Sequence, residues 1–168
     1  HKPLFMSVVG APASGKSYFL ASANWSLRTT LPRVFGVSFT DVDAVTNQWL
    51  NDYEEKLFFQ PDLSGHQTIA KTELTAPSLY RQVSLNGMNV VLPLPGLFSL
   101  DFDRGKSPVV GQKSLVLYDN AGEHFLAGTD SAATPVTKHL LHAEGIIFLF
   151  DPTEDPRFRQ ILNRGERH

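Results

Sequence analysis

Eight consecutive residues carry the most specific chemistry in this chain: Gly10, Ala11, Pro12, Ala13, Ser14, Gly15, Lys16 and Ser17. They fit the pattern Gly, any four residues, Gly, Lys, then Ser or Thr, whose successive backbone N–H groups cradle a chain of phosphates. In such a loop Lys16 would reach the β and γ phosphates, and the Ser17 hydroxyl would hold a Mg2+ ion. Gly10 and Gly15 allow backbone conformations and a close approach that a Cβ would block. Tyr18, next in the chain, completes the set expected to contact a bound nucleotide. With no ligand present, the Lys16 side chain is expected to face an open site.

A loop of this kind needs a strand before it and a helix after it. Leu4 to Val9 is a short apolar run that reads as a buried strand. A helix is expected from Gly15 to about Arg28, ended where Leu31 precedes Pro32, because proline pushes the preceding residue out of the α region. Ser114 to Tyr118 is a second apolar strand, ending at Asp119, and Ile146 to Phe150 is a third, ending at Asp151. Gly10, Asp119 and Asp151 therefore sit at the carboxyl ends of strands, where open α/β sheets bind ligands. The three strands are expected to be adjacent and mutually parallel, with helical signals between them.

The intervening chain is read more coarsely. Val34 to Phe39 is a short extended piece, and Thr40-Asp41 resembles a helix cap. Val42, Val45, Trp49, Tyr53 and Leu57 follow at spacings of 3, 4, 4 and 4, one stripe of an amphipathic helix that should pack on the domain. Pro61 to Gly65 is a turn-rich stop, and Gln67 to Thr75 is ambiguous. Leu79 to Leu85 and Met88 to Leu94 flank Asn86-Gly87, a strong hairpin signal. Leu97 to Asp103 alternates like a half-buried strand, and Arg104 to Lys113 reads as an exposed loop. Pro135 opens a helix running to about His142, and Asp155-Pro156 opens a last short one through Leu162.

Composition bounds the answer. The 168 residues suffice for one domain with a real core, and 42% apolar against 19% charged is a globular balance. A net charge of −2 gives no strong nucleic-acid signal. No apolar run reaches the length of a membrane helix, so no membrane span is expected. The chain has no cysteine, hence no disulfide framework and no Cys-based zinc site, which fits a reducing, cytoplasmic setting. It opens on His1 rather than Met, so a preceding segment is expected.

One stretch carries a family resemblance. Leu117-Tyr118-Asp119-Asn120-Ala121-Gly122-Glu123-His124-Phe125 resembles the Asp-x-x-Gly switch II segment of Ras-like P-loop GTPases, and the strand at Ile146 to Phe150 is similar to the next core strand of that fold. The resemblance covers the residues around Gly10 to Ser17 and from Ser114 to Asp151, not those from Trp25 to Lys113. It implies a P-loop NTPase-like three-layer sandwich: a mostly parallel central sheet, helices on both faces, and an added β-hairpin within an inserted region around residues 40–110. It implies a nucleotide switch that binds Mg2+ with GTP or GDP and meets a protein effector or regulator through its switch regions. Asp119 would hold the Mg2+ ion from the strand end as Ser17 does from the loop, and Gly122 would donate its N–H to the γ-phosphate.

The departures are specific. Glu123 stands where the family usually carries a water-orienting glutamine, so Glu123 and His124 are candidate catalytic residues alongside Lys16. The interval from Lys16 to Asp119 is longer than in small Ras-like proteins, and the switch I threonine that closes over Mg2+ falls there, at Thr68 or, second, Thr72. The guanine-specifying Asn/Thr-Lys-x-Asp motif occurs nowhere. The short stretch after Asp151 cannot hold the remaining elements of the fold, so a truncated chain, omitted residues or a base other than guanine is expected. An ATPase or phosphotransferase, and a nucleotide-binding scaffold without turnover, remain alternatives.

Overall fold

The computed structural model describes residues 2–59, 80–85, 88–102, 111–120 and 135–165. Strand β1, Leu4–Gly10, grows from the apolar run and ends on the first glycine of the loop. Its neighbours are β6, Gly111–Asp119, and β7, Gly145–Leu149, both parallel to it. The three apolar runs are thus adjacent and parallel, as expected. Two further strands extend the sheet, β2, Val37–Asp41, and β5, Gly96–Phe102, giving the order β2-β5-β6-β1-β7. Four of the five strands run in one direction, so the sheet is mostly parallel as expected, with one exception. β5 runs antiparallel to both β2 and β6, so the five-stranded sheet is mixed.

Helix α1, Lys16–Thr30, follows the loop directly. Its α geometry stops where Leu31 meets Pro32, and a wider turn, Leu31–Phe35, closes on Gly36 in the left-handed region at φ 62°. Helix α2, Gln48–Phe58, starts later than expected. Asp41 is the last residue of β2 rather than a cap. The N-cap of α2 is Asn47, with no side-chain cap bond, and the Asp43 carboxylate instead accepts from the Val45 and Thr46 N–H groups of the preceding turn at 3.1 and 3.2 Å. The Thr46 hydroxyl, which donates to Oδ2, and then those backbone bonds hold its pKa below the usual range. Val42 and Val45 accordingly stay exposed, while Trp49 is buried and Tyr53 packs against the core.

Strand alternation sends Val8, Leu115 and Leu117 to one face, where they meet Leu20 of α1, Leu50 of α2, and Phe39 and Phe98 of β2 and β5. Phe39 and Phe98 stack with ring centroids 4.6 Å apart. Strands β3, Tyr80–Leu85, and β4, Met88–Pro93, pair antiparallel with Leu85 opposite Met88, the register a two-residue Asn86-Gly87 connection requires. The connection itself lies outside the described residues. The 3-10 helix Pro135–His142 reaches the other face of the sheet through His139, and α3, Pro156–Gly165, closes the described chain. Among the described residues no helix is long and apolar enough to cross a membrane.

Candidate functional site

Gly10 leaves β1 in a place where only hydrogen fits. A Cβ there would lie 2.4 Å from the Leu149 carbonyl oxygen and 2.7 Å from Ser14 Oγ. The loop then turns with Ser14 N–H on the Ala11 carbonyl at 3.3 Å. Two residues occupy left-handed backbone, Ala13 at φ 62° and Gly15 at φ 84°. Gly15 takes that conformation without penalty, whereas Ala13 stores strain of the sort found at ligand sites.

Gly15 is also the N-cap of α1, and no side chain caps the helix there. The first turn carries no acidic residue either. The loop and helix start therefore present backbone N–H groups and the positive end of the helix dipole, which together suit an anion. Lys16 adds its ammonium at the same point. It is buried, and Nζ donates to the Gly10 and Ala11 carbonyls at 3.1 and 2.7 Å and to Ser14 Oγ at 3.5 Å. This corrects the expectation that Lys16 faces an open site: the side chain folds back over its own loop. A phosphate chain would exchange those carbonyls for stronger, charged acceptors.

Ser17 Oγ donates to Asp119 Oδ2 at 2.9 Å, although 102 positions separate the two residues. The register explains the meeting. Val8 pairs with Asp119 in parallel strands, so both side chains point to the face on which α1 packs. Asp119 is only 2% exposed. A buried carboxylate and a hydroxyl held together offer the oxygen donors that a hard divalent cation takes. Among the described residues no group of three or more His, Cys, Asp or Glu gathers that could hold a metal ion, at this point or elsewhere.

Asp151 plays another part. Its Oδ1 accepts from the N–H and hydroxyl of Thr153 at 2.8 and 2.6 Å, capping the 3-10 turn Pro152–Glu154, and these bonds hold its pKa down. Tyr18 lies in the first turn of α1 at 38% exposure. Gly122, Glu123, His124, Thr68 and Thr72 lie outside the described residues.

Two polar clusters escaped sequence reasoning. Arg28 Nη2 grips both Asp41 oxygens at 2.8 Å and Asn51 Oδ1 at 3.2 Å, while Nε lies 3.6 Å from Glu54 Oε1, which also accepts from Asn24. Asn47 ties Asp41 to β5, exchanging bonds with both backbone groups of Leu97 at 2.7 Å. The second cluster lies across the sheet: Asn120 Nδ2 donates to Ser7 Oγ at 2.9 Å, and Ser7 Oγ lies 3.1 Å from His139 Nε2. A lone serine inside the apolar run of β1 is the signal that could have found it. On that face Phe5, Tyr118 and His139 wall a cavity of about 500 Å³, and burial there pushes the Tyr118 phenol pKa up. No protein-family model, curated protein or solved structure matches the chain.

Proposed function

We propose that this domain binds a nucleoside triphosphate with Mg2+ and hydrolyses it, acting as a GTPase-like switch of the P-loop NTPase type. The single observation that carries the reading is the 2.9 Å hydrogen bond from Ser17 to Asp119, which joins the two sequence motifs at the carboxyl ends of neighbouring parallel strands. A phosphate loop alone is a common pattern. A phosphate loop whose hydroxyl meets a buried strand-end carboxylate supports a metal-nucleotide site.

In this reading Gly10 to Ser17 wrap the phosphates with backbone N–H groups, and Lys16 leaves its loop carbonyls for the β and γ oxygens. Ser17 and Asp119 hold the cation, which when bound neutralises charge on those oxygens. Gly122, Glu123 and His124 take their roles from the switch II resemblance, and Thr68 from its place in the inserted region. Guanine is assigned by that resemblance alone.

Calorimetric titration with GTP and with ATP, each with and without Mg2+, tests the binding. Tighter binding of GTP in the presence of Mg2+, with single-turnover hydrolysis at or above about 10⁻⁴ per second, is the expected result. Preference for ATP would move the reading to an ATPase or phosphotransferase, and tight binding without turnover would leave a nucleotide-binding scaffold. Binding of neither nucleotide would remove the function.

A further inference from the structure

Asp119 and Asn120 face opposite sides of the sheet. Asp119 meets Ser17 on the α1 side, and Asn120 turns to Ser7 on the side of Tyr118 and His139. Ser7 and Asn120 are both fully buried. Asn120 Nδ2 donates to Ser7 Oγ at 2.9 Å and to the Val8 carbonyl at 3.2 Å, which uses both of its hydrogens. The amide orientation follows, because the reverse flip would set Oδ1 against the Val8 carbonyl oxygen. Among the described residues Oδ1 is thereby left buried without a hydrogen-bond partner. An orphan acceptor of this kind is costly and calls for an explanation.

The hydroxyl of Ser7 has one proton and two acceptor positions. Asn120 occupies an acceptor position, and the proton is free to point to His139 Nε2 at 3.1 Å when that nitrogen carries none. His139 also stacks on Tyr118 with ring centroids 4.2 Å apart. One buried hydroxyl of β1 thus gathers Asn120 and His139, which stand on either side of the sequence interval that contains Gly122, Glu123 and His124.

We propose that Ser7 is a positioning residue for Asp119: through Asn120 it fixes the end of β6 against β1, and through His139 it ties the helix Pro135–His142 to the same point. This rests on the magnesium-nucleotide reading. The chain Asn120, Ser7, His139 acts through Asp119 and touches no ligand. Its loss should therefore weaken the cation more than the nucleotide, since partners that orient metal ligands commonly set metal affinity by about 10- to 100-fold.

The test uses the full chain and three variants, Ser7→Ala, His139→Phe and His139→Gln. The quantity read is the Mg2+ concentration that half-restores GTP affinity, with the affinity in excess chelator measured alongside. Ser7→Ala should raise that Mg2+ concentration by about tenfold or more and leave the chelator value unchanged. His139→Phe keeps a ring on Tyr118 and loses the bond to Ser7, so it should shift in the same direction. His139→Gln restores a polar partner and should return toward wild type. Wild-type Mg2+ dependence in both Ser7→Ala and His139→Phe would overturn the proposal, and His139→Phe alone decides if Ser7→Ala does not fold. A wild-type protein that binds no nucleotide would overturn the function reading itself, a result distinct from either.

Discussion

The two ends of helix α1 hold polar clusters of opposite character. At the amino end no side chain caps the helix, no acid lies in the first turn, and the lysine is held by loop oxygens. At the carboxyl end Arg28 sits in the last turn, where the dipole favours a cation, and two carboxylates surround it. Its guanidinium lies 6.0 and 5.8 Å from the Phe39 and Phe98 ring centroids. The second cluster answers its charges internally and joins α1, α2, β2 and β5. The first keeps helix-start N–H groups directed at the loop and suits an incoming anion. Burial and charge are common to both, so neither identifies a site. What separates them is the kind of partner: carboxylates from β2 and α2 at the carboxyl end, and the loop's own carbonyls with one strand-end carboxylate at the amino end.

That contrast breaks most sharply at Lys16. Lys16→Ala should lower triphosphate affinity by about a thousandfold, about 4 kcal/mol, read by titration calorimetry. Stability should fall by less, because the lost bonds to Gly10 and Ala11 belong to a loop. An unchanged affinity would erase the distinction between the two ends.

Arg28→Ala should show the reverse pattern. It leaves Asp41 and Glu54 without their cation and should cost about 3 kcal/mol of folding stability in denaturant titration, with nucleotide affinity of the folded protein close to wild type. A large affinity loss at undiminished stability would mean that the carboxyl-end cluster serves the ligand.

Gly10→Ala adds a Cβ against the Leu149 carbonyl and Ser14 Oγ. Backbone cannot yield cheaply, so a loss of about 2 kcal/mol is expected together with weakened nucleotide binding. Thermal unfolding and titration on the same sample check whether the loop fails with the strand.

The smallest effect belongs to Glu54. Burial pushes its pKa above the ordinary 4.5, more than Arg28 pulls it down. A raised folded pKa gives a contribution to stability that is fully present below the unfolded value and lost as pH rises through the raised one. Glu54→Gln should flatten that slope as pH rises above the ordinary 4.5. Denaturant midpoints above that pH that stay parallel to wild type would show that Glu54 does not titrate in the clasp.

Much of this was legible from local rules. Glycine spacing marked the loop, apolar runs marked β1, β6 and β7, and Asn86-Gly87 marked the register of β3 and β4, because each signal is carried by neighbouring residues. The start of α2 was misread for a related reason: Thr40-Asp41 has capping chemistry, but β-pairing with β5 claims Asp41 for a strand, and Asp43 closes the turn that precedes α2. The same pairing makes the sheet mixed, a fact about partners that no window of sequence contains.

By itself the sequence determined that a Gly-x4-Gly-Lys-Ser loop stands between a strand and a helix, and that an aspartate ends another apolar strand. Only the tertiary structure decided that Ser17 and Asp119 meet, that Lys16 folds back on its loop, that Asp151 caps a turn, and that Ser7 joins Asn120 to His139. The reason is physical. Loop and strand propensities act over a few residues, whereas these contacts depend on which strands lie side by side and in what register. The burial of the whole apolar face of the sheet sets that arrangement.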